Sequence, residues 1–308
     1  MQSGILLLDK PRGLSSNAAL QRVRRLFDRE KAGHVGSLDP LATGMLPICL
    51  GEATKVAGEI LAGRKCYRFA VTLGARTTTG DVEGEVSERA AVPSLERSCV
   101  ESVIAGFLGA SRQIPPMYSA LKRDGQPLYR LARAGVTIER PARTIEISQL
   151  RLLALAAGTL ELEVLCSKGT YVRVLAEDIA VKLGTVGHVS LLRREYVEPF
   201  AGEPMHTLES LTETRAHGQR AALLAIDRPL AHLAAVHLSA EQAGRVRQGQ
   251  AVKAVDAPSA ARVRLYAAEG FLGIGVSDAQ GVVHPRRLLR LEPTIVRSTP
   301  LPGSGPCS

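Results

Sequence analysis

The spacing of apolar residues predicts strands and helices in turn along the first part of the chain. Ile5–Leu8 is a short apolar run that predicts a buried strand. Apolar residues then recur at helical spacing as far as Phe27, in a helix that Asn17 is placed to cap. Large apolar residues occupy every second position over Tyr67–Leu73, which is the period of a half-buried strand. These patterns predict a core of mixed α/β type.

The middle of the chain continues this alternation. Ser94 is predicted to open a helix. Residues 144–147 and 150–155 are predicted strands that pair antiparallel with residues 160–166 across a tight turn. A further helix is predicted over Tyr171–Leu183. The expected result is a largely antiparallel sheet flanked by helices.

Two stretches do not fit the alternation. Residues 32–51 are rich in Gly and Pro but strongly apolar, which predicts a packed, ordered loop rather than a linker. Ser111–Thr144 contains a Pro pair, a short helical patch and many basic residues. The basic residues are Arg112, Lys122, Arg123, Arg130, Arg133, Arg140 and Arg143. Taken alone, this segment fits a solvated charged insertion better than an arm that touches a ligand, and both interpretations stay open.

The sequence changes character after Pro229. Ser239–Gln242 has the spacing of a helix capping box. Short apolar runs over residues 263–267, 271–276 and 282–284 are separated by Gly. This pattern predicts a small β-barrel appended as a second domain.

These patterns divide the chain into three predicted parts. A core domain covers residues 1–232 and carries the basic insertion at about 111–144. A small β-domain covers residues 233–296, and residues 297–308 are expected to be a disordered tail because they lack any periodicity. The predicted fold class is therefore mixed α/β (α+β), with an antiparallel sheet, flanking helices and a small C-terminal barrel.

The composition excludes several classes of protein. Hydrophobic residues make up 45% and charged residues 22% of the chain, which excludes a wholly disordered protein. No apolar run reaches the roughly 18 residues that a membrane-spanning helix needs. The N-terminus lacks the pattern of an export signal, and the five cysteines are widely separated and odd in number. We therefore expect a cytoplasmic protein.

The net charge of +9 favours a polyanionic partner, although solubility alone explains it equally well. Aromatic residues make up only 4% of the chain, which argues against a binder that stacks long rows of bases.

Cofactor and metal motifs are incomplete in this sequence. Gly74–Asp81 has the glycine spacing of a phosphate loop but ends in Asp where Lys is needed. Gly273–Gly275 lacks the third glycine of a dinucleotide cradle. The histidines show no zinc-binding spacing. We expect chemistry without a metal or an organic cofactor.

One carboxylate stands alone in an apolar segment. Asp39 lies within Gly33–Pro47, and burying a lone carboxylate costs several kcal/mol unless a cation or donors compensate. From the residues alone, Asp39 fits a turn ahead of Pro40 as well as it fits a catalytic role. Arg173 stands at a predicted strand-to-helix junction, where it is placed to pair with such an acid, although a single Arg is more often a surface residue.

A nearly collinear set of segments carries a resemblance to a known family. The segments are Asp9–Pro11, Gly33–Pro47, Leu50–Lys55, Tyr67, Leu73–Gly74, Thr77–Asp81, Ile114–Pro115, Met117–Lys122, Cys166–Tyr171, Arg173, His188–Val189 and Leu192–Arg194. Together they resemble the TruB family of pseudouridine synthases, strongly over about residues 4–200 and weakly beyond.

The resemblance implies an isomerase that breaks the N-glycosidic bond of uridine-55 in the T-loop of tRNA, rotates the base and rejoins it through carbon 5. It implies that Asp39 is the catalytic aspartate and that Arg173 pairs with it. Tyr67 matches a tyrosine that packs on the target base and is a candidate for removing the carbon-5 proton. The resemblance leaves open whether Asp39 attacks the sugar or the base, or acts as a base on a glycal route. An ionised, desolvated carboxylate suits each of these tasks.

Four further residues are expected to bind the substrate by the same resemblance. Tyr171 and Leu192 would line the base pocket, His34 would meet the RNA where flipped nucleotides leave the stack, and Lys10 would belong to a basic loop. Flipping the uridine costs a few kcal/mol, which backbone contacts from a basic arm and groove can offset. The resemblance implies that the insertion closes over the RNA and that the last domain is a PUA-like RNA-binding barrel.

The expected partner is the T-arm of elongator tRNAs, bound by a monomer without a protein partner or a membrane. One alternative is a non-catalytic RNA-binding or tRNA-folding protein on the same scaffold. The joint presence of Asp39, Tyr67 and Arg173 argues against it, because binding alone needs no buried carboxylate. A second alternative is a hydrolase that uses Asp39 with His34, which release of free uracil would reveal.

Overall fold

The computed structural model describes residues 3–28, 31–123, 125–214 and 216–290. The chain divides into two compact units, with the division between His232 and Leu233. Among the described residues, no helix is long and apolar enough to cross a membrane. The predicted tail over 297–308, together with residues 291–296 of the predicted small domain, lies outside the described residues.

The larger unit is built from strands and short helices. Its strands are β1 (Gly4–Lys10), β2 (Ala32–His34), β3 (Thr43–Leu50), β4 (Lys65–Leu73), β5 (Ala75–Thr77), β6 (Val86–Arg89), β7 (Gly109–Gln113), β8 (Lys122–Arg123), β9 (Gln126–Pro127), β10 (Arg143–Ala156), β11 (Thr159–Cys166) and β12 (Gly187–Val197). Its helices are α1 (Ser16–Leu26), α2 (Ala57–Ala62), α3 (Arg97–Ala105), α4 (Leu128–Arg133), α5 (Val172–Lys182), α6 (Leu208–Glu213) and α7 (Ala216–Ala221), with 3₁₀ turns at Gly51–Val56 and Arg228–Leu230.

The central sheet runs in the order β1–β3–β12–β4–β11–β10–β7, and β2 pairs with β3. Within that order β12 pairs parallel with β3, and the other neighbours pair antiparallel. Helices α1, α3 and α5 pack on one side of this sheet, which we call the inner face, and they form one apolar core with Phe69 and Val71 of β4. Tyr67 and Leu192 lie on the same face because side chains alternate along a strand.

The opposite side of β4, β10, β11 and β12, which we call the outer face, carries exposed charged residues. Arg68 pairs with Glu161 at 2.6 Å, and Arg151 pairs with Glu163. On the neighbouring strand, Arg193 bonds the Asp9 carboxylate at 2.9 Å. The positive charges of the outer face are therefore neutralised locally by carboxylates.

Local patterns located most elements correctly, with errors at helix starts. Helix α1 is capped by Ser15, whose hydroxyl accepts from the Ala18 amide at 3.1 Å, so the predicted cap at Asn17 is wrong by two residues. Helix α3 begins at Arg97 rather than near Ser94, because Leu95 packs against the core ahead of the helix.

The predicted loop over 32–51 is partly wrong. Residues 43–50 form β3, a buried strand between β1 and β12. Gly44 has a φ of +96°, and a Cβ there would come within 2.2 Å of the Arg194 carbonyl oxygen. The glycine therefore marks a close approach of two strands and not a loop.

The hairpin predicted over 144–166 is present, but its first half is one strand. β10 runs continuously over Arg143–Ala156 with irregularities after Ile147 and after Leu152. Such bulges interrupt the apolar alternation without ending a strand, which explains the predicted break.

The smaller unit has its own sheet and helix. Its elements are β13 (Ala234–His237), α8 (Ala240–Arg247), β14 (Val252–Lys253), β15 (Arg262–Ala267), β16 (Gly270–Ser277) and β17 (Val282–Leu288). The strand order is β13–β15–β16–β17–β14. The capping box predicted over Ser239–Gln242 is confirmed. The predicted mixed α+β class, with a mostly antiparallel sheet and a small C-terminal strand domain, is confirmed as well.

Candidate active site

The loop between β2 and β3 carries Asp39 and is held by buried side chains. The Ser16 hydroxyl accepts from the Leu38 amide at 2.7 Å and donates to the Leu38 carbonyl at 2.9 Å. The Ala42 amide bonds the Asp39 carbonyl at 3.1 Å, and the Gly13 amide bonds the Pro40 carbonyl at 2.8 Å. Residues on both sides of Asp39 are thus fixed by contacts from α1 and from the turn that precedes it.

Arg173, in the first turn of α5, meets two carboxylates. Its Nε lies 3.0 Å from Asp39 Oδ2 and 3.7 Å from Asp81 Oδ2. Its two terminal nitrogens donate to the carbonyl oxygens of Thr79 at 2.7 Å and Tyr118 at 2.6 Å. The guanidinium is therefore held by groups from three separate segments of the chain, and its side chain is only 5% exposed.

The carboxylate of Asp39 keeps an open side. Its side chain is 40% exposed, whereas that of Asp81 is 4% exposed. Loss of hydration is the largest influence on Asp39 and raises its pKa, the Arg173 charge lowers it, and the Asp81 charge raises it further. Arg173 is thus the main group that favours the charged form of Asp39. The turn proposed for Asp39 exists in the backbone, but the carboxylate itself pairs with the guanidinium.

Tyr67 and Leu192 are diagonal neighbours on the paired strands β4 and β12. Leu192 is opposite Phe69, and Tyr67 is opposite Arg194. Burial raises the pKa of the Tyr67 phenol, and the nearby Arg194 charge opposes that rise. The structure therefore places this tyrosine and this leucine diagonally across two paired strands of the inner face.

His34 and Tyr171 frame the site from two other segments. His34 is half-buried in β2, its Nδ1 has no hydrogen-bond partner within the described part of the chain, and burial lowers its pKa. Tyr171 is held through its backbone: its amide donates to Gln113 Oε1 at 2.8 Å, and its carbonyl accepts from Gln113 Nε2 at 3.1 Å. Gln113 ends β7 and so ties the start of the insertion to the start of α5.

Lys10 is buried at the end of β1. The residue is 0% exposed, and its Nζ donates to the carbonyl oxygens of Pro11 at 2.9 Å and Leu14 at 2.7 Å. The Pro40 carbonyl, next to Asp39, is 3.5 Å away. Loss of hydration lowers the pKa of Lys10 to about 8, although the Asp39 charge opposes this. Lys10 therefore makes contacts inside the protein that support the Asp39 loop, and its expected contact with RNA stays a prediction.

The basic insertion between β7 and β10 stands beside Arg173. It contains the β8–β9 ribbon and α4, whose Arg130 and Arg133 are exposed. The Arg133 guanidinium lies 5.8 Å from the Tyr129 ring centroid. A cavity of about 310 Å³ separates the insertion from α5 and is lined in part by Tyr118 and Arg173. In contrast to the outer face, Arg130 and Arg133 form no ion pair with any described carboxylate.

Sequence reasoning missed Asp81, Gln113 and Arg194. Asp81 had a weak signal, because it ends the Thr77–Asp81 turn that the resemblance includes. Arg194 had a similar signal, because it ends the Leu192–Arg194 segment of the resemblance. The contacts of Gln113 and Arg194 reach residues 58 and 158 positions away, for which no local pattern exists. No group of three or more His, Cys, Asp or Glu side chains suited to a metal ion occurs among the residues that the structure describes.

Three family descriptions match successive parts of the chain. Residues 24–172 match the TruB family pseudouridylate synthase (N terminal domain). Residues 173–233 match the tRNA pseudouridylate synthase B C-terminal domain, and residues 234–289 match the description "Pseudouridine synthase II TruB, C-terminal".

Curated relatives are similar over nearly the whole chain. The tRNA pseudouridine synthase B of Chromohalobacter salexigens is 49% identical over 288 residues, which is 93% of this chain and 94% of that protein. The tRNA pseudouridine synthase B of Stutzerimonas stutzeri is 50% identical over 295 residues, which is 94% of this chain and 96% of that protein.

Solved structures share the fold at lower identity. A chain from the structure described as a Cbf5-Nop10-Gar1 complex has a TM-score of 0.71 and 23% identity, and the match covers 93% of this chain and 85% of that one. A chain from an H/ACA RNP bound to a substrate RNA containing 2'-deoxyuridine has a TM-score of 0.68 and 21% identity, with 94% and 86% covered.

Proposed function

This chain belongs to the TruB family of pseudouridine synthases, and from that premise we propose that it converts uridine-55 in the T-loop of elongator tRNAs to pseudouridine. It is an isomerase that forms pseudouridine in tRNA, as its relatives' names state of them. We place it in the cytoplasm, where it acts as a monomer without a cofactor.

Asp39 is the catalytic aspartate in this proposal. The observation that carries the assignment is its carboxylate, held 3.0 Å from a buried guanidinium while 40% of the side chain stays exposed. The guanidinium orders the carboxylate and favours its charged form, and the open side allows a ribose or a base to approach. Such a group is suited to act as a nucleophile or as a base.

The target base is bound on the inner face of the sheet. Tyr67 packs on the base and accepts the carbon-5 proton, and Leu192 and Tyr171 line the pocket. Their positions support this assignment, because Tyr67 and Leu192 are neighbours across β4 and β12 and Tyr171 directly precedes the helix that carries Arg173. His34 contacts the RNA where the flipped nucleotides leave the stack.

The RNA backbone is held by the basic insertion. Ser111–Thr144 carries Arg130 and Arg133 on its exposed surface beside the Arg173 cavity. Unpaired arginines bind phosphates with release of counterions, so this affinity falls as salt rises. The binding supplies free energy that offsets the few kcal/mol lost when the uridine leaves its stack.

A protein that only bound or folded tRNA would not need this site. Binding alone needs no carboxylate held against a buried guanidinium with one side open, so the Asp39–Arg173 pair supports catalysis. Hydrolysis by Asp39 with His34 has no comparable support, because the structure gives His34 no contact with the Asp39 carboxylate.

Incubation of the purified protein with an unmodified elongator tRNA transcript tests the proposal. Mapping at nucleotide resolution is expected to find pseudouridine at position 55 and no free uracil in solution. Pseudouridine at another position alone would contradict the assigned substrate, and release of uracil would indicate a hydrolase.

A further inference from the structure

Arg194 is the largest fully buried side chain of the molecule's described part, and the comparisons assign it no role. It lies on the inner face of β12, between β3 and β4, and is 1% exposed. Its Nε donates to the Met45 carbonyl oxygen at 2.7 Å, and its Nη2 donates to the Gly36 carbonyl oxygen at 2.8 Å. A guanidinium in this position ties the Asp39 loop to the sheet.

The Gly36 end of the loop is shaped around this guanidinium. Gly36 has a φ of +72°, and a Cβ there would come within 3.3 Å of Arg194 Nη1. The Val35 amide is fixed next to it by the Pro47 carbonyl at 2.8 Å. The loop segment that links His34 to Asp39 therefore has its direction set by Arg194.

The same charge faces two assigned site residues. The Arg194 Cζ lies 6.0 Å from the centroid of the Tyr67 ring, which is within the range of a cation–π contact. Burial raises the pKa of the Tyr67 phenol, and the Arg194 charge lowers it. For His34, burial and the Arg194 charge both lower the pKa. The other charged or titratable groups that act on Tyr67 are Cys166 from β11 and Asp39 from the loop, and both raise its pKa.

We propose that Arg194 is a positioning residue of the isomerase site: from inside the sheet it fixes the Asp39 loop through Gly36 and holds a positive charge against Tyr67. The inference rests on the proposed function, because it assumes that Asp39 and Tyr67 act on the uridine. Because Arg194 is only 1% exposed, it does not contact the substrate, and it acts only through these neighbours. Its positive charge stabilises a phenolate at Tyr67, the form that can accept the carbon-5 proton.

A purely structural role predicts a different pattern. If Arg194 only filled the core, its loss would lower thermal stability and affect every function of the protein together. A positioning role predicts a loss of the chemical rate with tRNA affinity retained, and a change in its pH dependence.

The neighbouring Arg193 offers a matched control. It is on the same strand but on the outer face, where it bonds Asp9 at 2.9 Å and lies 3.6 Å from Glu195. R193M removes the same charge from the same strand without touching the inner face. Comparison of R194M, R194K and R193M therefore separates the two roles.

The experiment measures single-turnover pseudouridine formation across pH, tRNA affinity and the melting temperature for these variants of the full chain. For R194M we expect a loss of roughly 100-fold in rate near neutral pH, the scale of a lost acid–base contribution, with affinity within about tenfold. Without the Arg194 charge the pKa of Tyr67 rises further, so the rate should recover partly as the pH is raised. R193M should keep both the rate and the pH profile.

R194K keeps the positive charge but lacks the two separate nitrogens that donate to the Gly36 and Met45 carbonyl oxygens. We expect its rate to fall by about tenfold with the wild-type pH profile. If R194M does not fold, the rate and the pH profile of R194K test the proposal instead. An R194M or R194K protein with the full wild-type rate, or R193M with an equal loss, would overturn the inference. Absence of pseudouridine formation by the wild-type protein would instead overturn the proposed function.

Discussion

The two faces of one sheet use arginine in opposite ways. On the outer face, Arg68 and Arg151 pair with glutamates across strands, and all these side chains are partly or largely exposed. On the inner face, Arg173 and Arg194 are buried, and their donors hold carboxylates and loop carbonyls in place. Solvent screening weakens the exposed ion pairs of the outer face, whereas the contacts of the buried arginines stay strong. The arginines that organise the site are therefore distinguished from the others by their burial.

The two sides of the sheet also differ in how strongly they can attract RNA phosphates. Cations of the outer face are already neutralised by neighbouring carboxylates, so they have little attraction left for phosphate. Arg130 and Arg133 in the insertion have no such partners among the described carboxylates and stand beside the Arg173 cavity. The surplus positive charge is therefore available on the side where Asp39 is exposed.

The largest effect is expected from Asp39→Asn. Replacing the charged oxygen by a neutral amide should lower the rate of pseudouridine formation by at least about 10³-fold, while tRNA affinity stays within about tenfold, or about 1.4 kcal/mol. Single-turnover assays and binding titrations measure these two quantities.

The same variant has a stability control. Because burial raises the pKa of Asp39 in the folded state, its ionisation costs stability as the pH rises through that pKa. Asp39→Asn should therefore not lower the melting temperature at neutral pH. A marked drop would mean that the lost rate reports unfolding.

Arg173→Met should have the next largest effect. Removing the positive charge removes the main influence that lowers the pKa of Asp39, so this pKa rises and the acidic limb of the rate profile moves to higher pH. We expect about 100-fold loss at neutral pH, with part of the rate regained under alkaline conditions. The melting temperature should fall too, since Asp81 is left buried without its cation.

Arg173→Lys keeps the charge and should leave the acidic limb near its wild-type position. One ammonium cannot serve Asp39, Thr79 and Tyr118 together, so some rate is still lost. An acidic limb that shifts equally in the Lys and Met variants would show that the charge of Arg173 does not set the pKa of Asp39.

Much of the fold could be predicted from the sequence, because β4 and α5 depend on short-range periodicity. The site could be predicted only in part. The pairing of Asp39 with Arg173 joins residues far apart in sequence, and the family resemblance supplied it. The sequence did not indicate that Lys10 points into the protein, because a lysine that donates to buried carbonyls cannot be distinguished in sequence from one that faces RNA.

A smaller effect is expected from Arg130→Gln combined with Arg133→Gln. Loss of two unpaired cations should weaken tRNA binding by roughly tenfold and reduce the salt slope of the affinity by about 1 to 2, with the chemical rate of bound tRNA unchanged. Titrations at several salt concentrations measure the slope. An unchanged slope would make the insertion a solvated charged segment.

The smallest effect is expected from Arg68→Gln combined with Arg151→Gln, which removes the same charge from the outer face. Exposed ion pairs contribute little to stability, so the melting temperature should change by no more than about 2 °C. The tRNA affinity should stay within about threefold of the wild-type value. A loss equal to that of the insertion variant would show that net charge, and not its location, determines binding.

We propose above all that Asp39, held by Arg173, carries out the isomerisation of uridine-55. The most direct test of this proposal is nucleotide-resolution mapping of one unmodified tRNA after exposure to saturating wild-type protein, Asp39→Asn or the outer-face double variant. We expect pseudouridine at position 55 with the wild type and the outer-face variant, and unmodified uridine with Asp39→Asn. Complete modification by Asp39→Asn would contradict the proposal.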